Sequence, residues 1–369
     1  MAEDWYRTLL DPDAEAHSEK VGNKIREEIQ KSGYISFSRF MAIALYAPGL
    51  GYYCVGTEKI GAHGDFITAP EISPLFAQCL AAYCQNVLQP LDTKNILEIG
   101  AGTGRLAIGI LRELAQQNAL PEHYYILDLS PELQQRQRQT ITENAPQFLD
   151  RIEWLSELPS TPFKGVIIAN EVLDAMPVTI FQNTPDGIAE RVVELNNNQF
   201  VWALRPASSE LEQTIESLEI DFPLHYYSEI NSYLKPWIHG LSHVLREGEI
   251  IIIDYGFVRE EYYHSQRSTG TLMCHFQHRA HADPFILTGV QDITAHVDFT
   301  MLGRAAEQYG LKVSHYSTQA KFLLDHDLLK FMERAATTPE QQLALANQVK
   351  MLTLPSEMGE LFKVMILKK

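Results

Sequence analysis

Residues 98–104 read Glu-Ile-Gly-Ala-Gly-Thr-Gly, and their spacing is the first chemical signal in the chain. Glycine has no Cβ, so the backbone at Gly100, Gly102 and Gly104 can turn tightly against a ligand that a side chain would hold off. The spacing is GxGxG. A dinucleotide site would carry GxGxxG, with a helix N-terminus aimed at a pyrophosphate. The carboxylate of Glu98 suits the cationic end of a ligand. Glu98, Gly100, Ala101, Gly102 and Gly104 are therefore candidate ligand contacts. The alternative is a tight strand–helix turn with no ligand.

Asp128 ends the next apolar run, Tyr124 to Leu129. In a doubly wound sheet that end lies beside the glycine turn, at the ligand crevice. A carboxylate there accepts from both hydroxyls of a ribose, although capping or solvation would also explain it. Leu129 and Ser130 continue the same strand end and join the candidate contacts. An adenosine with a cationic tail, as in S-adenosylmethionine, satisfies both Glu98 and Asp128.

A further strand, Gly165 to Ala169, runs into Asn170-Glu171-Val172-Leu173-Asp174. Glu171 and Asp174 are three apart, so one helical turn would put both on one face. Paired carboxylates can hold an arginine fork, which stays charged at neutral pH. Methyl transfer needs such positioning and exclusion of water more than covalent help. Glu171 and Asp174 are the candidate catalytic pair, with Asn170 and Glu171 also facing the cofactor; capping of a following helix is the competing role. His296, between Asp292 and Asp298, is a candidate proton relay, with a packed, hydrogen-bonded histidine as its alternative. His275, His278 and His281 recur near Cys274 and Asp283. Helical metal pairs usually sit four apart, so no metal site is expected there.

These residues need a framework. Ile96–Ile99, Tyr124–Leu129, Ile152–Leu155, Gly165–Ala169 and Glu249–Asp254 read as buried strands, with helices between them, as in a parallel, doubly wound sheet. Arg105–Gln117 is a predicted helix. Ser130-Pro131-Glu132 opens another with a hydroxyl cap, proline and an acid. Leu311–Thr318 and Phe362–Lys368 are predicted closing strands. Ahead of the sheet, Val21–Lys31, Ile35–Tyr46 (capped by Ser36 or Ser38) and Ser73–Leu88 are predicted helices. Between Pro48 and Pro70 the glycine density marks a long ordered loop. Val178–Arg205 alternates like antiparallel strands around Pro185-Asp186-Gly187 and Asn196-Asn197-Asn198. Residues 207–245 read as helical.

The chain has 369 residues, 45% of them hydrophobic, enough for one α/β core with large additions. Its formal charge of −17 repels phosphate backbones and suits a basic protein surface or a cationic segment. Nucleic acid is not an expected partner. Four cysteines form no CxxC pair, which fits a reducing compartment. The acidic N-terminus reads as neither signal nor transit peptide, and no apolar run is long enough to span a bilayer. A bacterial cytoplasmic enzyme is the expectation.

Taken together the motifs resemble the MidA family of S-adenosylmethionine-dependent methyltransferases, from about Tyr34 to the C-terminus. The resemblance rests on Ile35-Ser36-Phe37-Ser38-Arg39-Phe40-Met41, Ala44-Leu45-Tyr46, Gly51-Tyr52-Tyr53 and Gly64-Asp65-Phe66-Ile67-Thr68-Ala69-Pro70-Glu71-Ile72-Ser73. The glycine turn, Ser130-Pro131-Glu132-Leu133, Ala169-Asn170-Glu171 with Asp174, Ile253-Asp254-Tyr255-Gly256, Gly270-Thr271-Leu272 and 291–299 complete it. It implies a class I methyltransferase sheet, Rossmann-like, with an elaborated helical N-terminal cap. It also implies cofactor contacts at Asp65, Thr68, Pro70 and Glu71. Mitochondrial members are arginine methyltransferases needed for respiratory complex I assembly, which implies a protein substrate, such as a respiratory-complex subunit. Asp128 stands where relatives often carry glutamate.

The expected layout is a cap over 1–92 with a cofactor loop at 64–73, a core over 93–177 and 246–369, and an inserted β/helical subdomain over 178–245 as substrate or partner surface. A homodimer is compatible with it. Tyr52, Tyr53 and Phe66 either pack in the core or form a lid over the methyl group. A non-catalytic assembly chaperone on the same fold and an NAD-dependent oxidoreductase are the competing functions.

Overall fold

The computed structural model describes residues 5–6, 9–55 and 68–369. The strand before the glycine turn is β1 (Asn95–Ile99), and α1 (Arg105–Gln116) follows it. Then come β2 (His123–Leu127), α2 (Pro131–Asn144), β3 (Ile152–Leu155), β4 (Phe163–Asn170), β5 (Leu245–Phe257), β6 (Lys312–Thr318) and β7 (Phe362–Lys368). Their order in the sheet is β6-β7-β5-β4-β1-β2-β3. Strands β1 to β5 pair in parallel, and β7 runs antiparallel to both β5 and β6. The sheet is thus doubly wound with one reversed strand, the architecture the resemblance implied. Val166–Ala169 and Ile250–Ile253 are fully buried, which explains why these strands read as continuous apolar runs.

The chain order doubles back at β1, which lies between β2 and β4. Ile99 pairs with Leu127 on one side and Ala169 on the other, and Asn170 pairs with Ile253. Register therefore brings the glycine turn, Asp128, Asn170 and Asp254 to one edge of the sheet, the crevice end of such folds.

Contacts divide the chain into two compact units. The unit with the large sheet also holds the helix Pro74–Leu88, although in sequence it falls within the expected cap over 1–92. It lies hard against α1: a Cβ on Gly109 would come within 2.4 Å of the Ala77 Cβ. Helix Leu234–Val244, expected in the insertion, belongs to this unit as well and packs on the helix Phe299–Gln308.

The other unit combines described residues of 1–57, 175–233 and 260–295. Helix Pro12–Ser32 begins earlier than predicted because Asp11 caps it and Pro12 fits its first position. Helix Phe37–Tyr46 is capped by Ser36. Its antiparallel sheet runs Ile35–Ser36, Gly187–Asn196, Thr179–Thr184, Tyr227–Ile230, with Gln199–Pro206 also on Gly187–Asn196. Asn196 pairs with Gln199 across Asn197 and Asn198, whose φ of 49° and 66° give the primed turn that matches strand twist. The strand Tyr227–Ile230 corrects the helical expectation for 207–245. It satisfies the backbone of Thr179–Thr184, and Phe222 and Tyr226 lock against Phe181 at ring separations of 4.9 and 6.5 Å. A small sheet of Met273–Phe276, Arg279–His281 and Asp292–Thr294 completes this unit.

Candidate active site

Three residues with φ of 67°, 53° and 86° (Gly100, Gly102 and Gly104) make the turn between β1 and α1. This is left-handed backbone that glycine adopts without penalty. A Cβ on Gly100 would approach Val172 Cγ2 to 3.1 Å, tight enough that Val172 would have to give way. The Gly100 N–H donates to Leu127 O at 2.9 Å and ties the turn to β2. From below, the buried Glu98 carboxylate accepts from the Tyr124 hydroxyl at 2.7 Å. Burial pushes this carboxyl up to about 7; the Tyr124 bond opposes the shift and the Asp128 charge adds to it. Glu98 is thus a prop behind the turn, 2% exposed.

Asp128 is mostly buried as well. Its Oδ1 accepts from Ser130 N at 3.0 Å and its Oδ2 from the Gln137 amide at 2.8 Å. Burial raises its pKa, and these N–H donors oppose that rise. The Leu129 N–H adds a weaker bond, and a carboxylate with roughly four lone-pair directions still has acceptor capacity for a hydroxyl. Ser130 caps α2 through Leu133 N at 3.2 Å, as predicted. Leu129, between them, is 72% exposed, an unusual state for leucine beside a crevice.

After β4 the predicted helical turn is absent. Glu171 instead has a φ of 54°, and its N–H donates to Ile253 O at 2.9 Å. The shared carboxylate face is replaced by a turn wrapped on Asp254. Asp254 is fully buried, and its Oδ2 accepts from Leu173 N at 2.9 Å and Asp174 N at 3.2 Å. Burial first, then the Asp174 and Glu171 charges, push the Asp254 carboxyl well above the ordinary range. Asn170 donates to Glu171 Oε1 at 3.0 Å, while its buried Oδ1 has no partner. Sequence reasoning missed two of these groups, Gln137 and Asp254. The second was visible as an aspartate ending an apolar strand; the first had no local signal.

Of the 64–73 loop, Asp65 and Phe66 lie outside the described residues. Thr68 precedes the short helix Ala69–Ile72, and Pro70 sits in its first turn. Glu71 bonds the glycine turn itself: it accepts from the Thr103 hydroxyl and pairs with Arg105 Nε at 3.0 Å. Tyr52 is fully buried, and Tyr53 donates to Asp292 at 2.9 Å. His296 lies between the Tyr255 and Phe257 rings, each 5.1 Å away. Asp298 caps the helix Phe299–Gln308. His275 and His281 sit on a β-hairpin, and burial lowers the pKa of both. Among the described residues no group of three or more His, Cys, Asp or Glu side chains is placed to hold a metal.

A ligand for this edge must lie flat on glycine backbone, offer hydroxyls to Asp128 and supply a donor for the orphaned Asn170 Oδ1. S-adenosylmethionine meets all three demands. A family model described as "Putative S-adenosyl-L-methionine-dependent methyltransferase" matches residues 79–317. The chain belongs to that family. It is the MidA family of the sequence resemblance, and the protein is an S-adenosylmethionine-dependent methyltransferase. A crystal structure from Burkholderia thailandensis, bound to S-adenosyl-homocysteine, is 42% identical with a TM-score of 0.93, covering 98% of this chain and 94% of that one. The mitochondrial protein arginine methyltransferase NDUFAF7 of Danio rerio is 30% identical over 92% of this chain and 84% of its own length. The Homo sapiens protein of that name is 26% identical over 91% and 80%. MidA-family membership replaces both competing readings, the oxidoreductase and the non-catalytic chaperone. No helix among the described residues is long and apolar enough to cross a membrane.

Proposed function

We propose that this methyltransferase acts on arginine in a protein, with Glu171 and Asp174 gripping the guanidinium. The observation that carries this reading is Asp254: a buried carboxylate that draws in the N–H groups of Leu173 and Asp174 and so sets two further acids at the crevice end of β4. Acids this crowded repel one another, and a cation relieves that repulsion. The NDUFAF7 relatives, named as protein arginine methyltransferases, support the same acceptor.

When bound, S-adenosylmethionine supplies an electrophilic methyl group. On this reading Gly100, Ala101, Gly102 and Gly104 cradle it, Asp128 holds its ribose, and Leu129, Ser130, Asn170, Thr68, Pro70 and Asp65 line it. Glu98 and Glu71 hold the glycine turn from two sides. The acidic turn aligns the guanidinium fork, and one of its carboxylates takes the proton released from the methylated nitrogen. His296 relays that proton outward. Residues 178–233, the part of the expected insertion that stays outside the large-sheet unit, offer the surface for the acceptor protein, a respiratory-complex subunit, in the bacterial cytoplasm, with a homodimer as the working form.

Incubation with methyl-labelled cofactor and lysate of the host, followed by mapping of the labelled residue, tests the acceptor. The reading expects label on arginine, lost in Glu171→Gln/Asp174→Asn while S-adenosylhomocysteine still binds. Label on lysine or on a small molecule would falsify it.

A further inference from the structure

Gln137 occupies the buried face of α2 with no solvent exposure, and every polar atom of its amide is used. The NH2 group donates to Asp128 Oδ2 at 2.8 Å and to Gly102 O at 3.2 Å. The amide oxygen accepts from Trp154 Nε1 at 3.1 Å. The opposite orientation would set oxygen against oxygen at Asp128 and Gly102, and N–H against N–H at Trp154. One orientation is therefore enforced. The Arg138 guanidinium lies 3.9 Å from the Trp154 ring centroid, and Gln134, one turn earlier, donates to Asp128 O at 2.8 Å and Leu155 O at 3.1 Å.

We infer that Gln137 is a positioning residue that locks the Asp128 carboxylate to the Gly102 carbonyl, so that ribose grip and glycine cradle form one rigid receptor for the cofactor. This rests on the reading of Asp128 as the ribose ligand. A buried amide is a suitable clamp because it supplies two donors without a charge to desolvate. Without Gln137, only the backbone N–H groups of Ser130 and Leu129 would hold the carboxylate against rotation about its Cβ–Cγ bond. With Gln137 present, the rotation is fixed and the unused lone pairs face one way.

Calorimetry with S-adenosylhomocysteine and its 2′,3′-dideoxy analogue tests the clamp. Gln137→Met is near-isosteric. It should cut the preference for the hydroxylated ligand about tenfold, while affinity for the analogue changes less than about twofold. An equal fall for both ligands, or an unchanged preference, overturns the inference. Asp128→Ala, measured alongside, separates the two layers. Loss of the preference there, with retention in Gln137→Met, sinks the clamp alone. Retention in Asp128→Ala sinks the ribose reading and the clamp with it. Should Gln137→Met fail to fold, Trp154→Phe decides: it removes the N–H that anchors the amide oxygen and so loosens the clamp without removing its two donors, and about a threefold loss of preference supports the clamp, whereas no loss overturns it.

Discussion

The turn after β1 and the turn after β4 leave neighbouring strands at the same end of the sheet, with Ile99 paired to Ala169, yet their backbones are held differently. The glycine turn is regular strand–turn–helix, and its left-handed φ values fall on glycines. The Gln137 amide, backbone N–H groups and two carboxylates, the Tyr124-bonded Glu98 behind it and Glu71 on Thr103 and Arg105, support it. The acidic turn is irregular. It puts a glutamate in left-handed backbone and hangs two N–H groups on a buried aspartate. Non-glycine residues pay for such backbone, at about 1–3 kcal/mol, and it persists only where surroundings over-determine it. On the proposed reading, the first turn is pre-shaped for a fixed, common ligand, and the second stores strain and charge for an acceptor that is gripped and released.

The most severe way to break this comparison is Gly102→Val. A β-branched side chain at φ 53° fills the cradle, so S-adenosylhomocysteine affinity should fall at least about a hundredfold while the chain remains folded. Calorimetry with circular dichroism checks both halves; full affinity would show that the turn is not the cofactor seat. Next comes Asp254→Ala, which strands the Leu173 and Asp174 N–H groups. Methylation should drop well over tenfold and unfolding free energy by about 2–6 kcal/mol, at about 1–3 kcal/mol for each of the two orphaned groups. Cofactor affinity should stay within about threefold. If binding collapsed with activity, the two turns would not be separable.

Glu98→Gln sharpens the comparison through pH. The folded carboxyl sits at about 7, above its ordinary 4.5. The native state therefore holds its proton longer than the unfolded chain. Stability from this group is present below about pH 4.5 and is lost as pH rises towards 7. The gap corresponds to about 3 kcal/mol. Glu98→Gln keeps an acceptor for Tyr124 and should flatten that decline, so the variant gains on the natural protein above pH 7 in denaturant melts. A parallel pH dependence in both proteins would count against it. The smallest effect is expected from Arg105→Ala. Its pair with Glu71 is 61% exposed on the arginine side, so stability should change by less than about 1 kcal/mol and cofactor affinity by about twofold. A larger loss of affinity would place Arg105 on the ligand.

The legibility of each part follows from the range of its contacts. The β1–turn–α1 unit, Asp128 at its strand end, the Ser130 cap and the Asn197-Asn198 turn are local, so residue type and spacing report them directly. Gln137 lies in the run Pro-Glu-Leu-Gln-Gln-Arg-Gln-Arg-Gln, where its polarity reads as a solvated face. Only the packing of α2 on the glycine turn makes it a buried hub. Asp254 holds N–H groups far back along the chain, a relation with no signature in either segment. Helix Pro74–Leu88 reads as a helix from its own residues, but its place beside α1 depends on the Gly109–Ala77 approach. The strand Tyr227–Ile230 exists because Thr179–Thr184 has an edge to satisfy.

The reversed strand β7 has a consequence for biosynthesis. It bonds to β5 on one side and β6 on the other, and it is the last of the sheet strands to be made. Until Phe362–Lys368 leaves the ribosome, the apolar edge at Ile250–Ile253 has only β4 beside it. A chain caught in that interval offers an open edge to neighbouring chains, a hazard that holding chaperones would cover until β7 slots in.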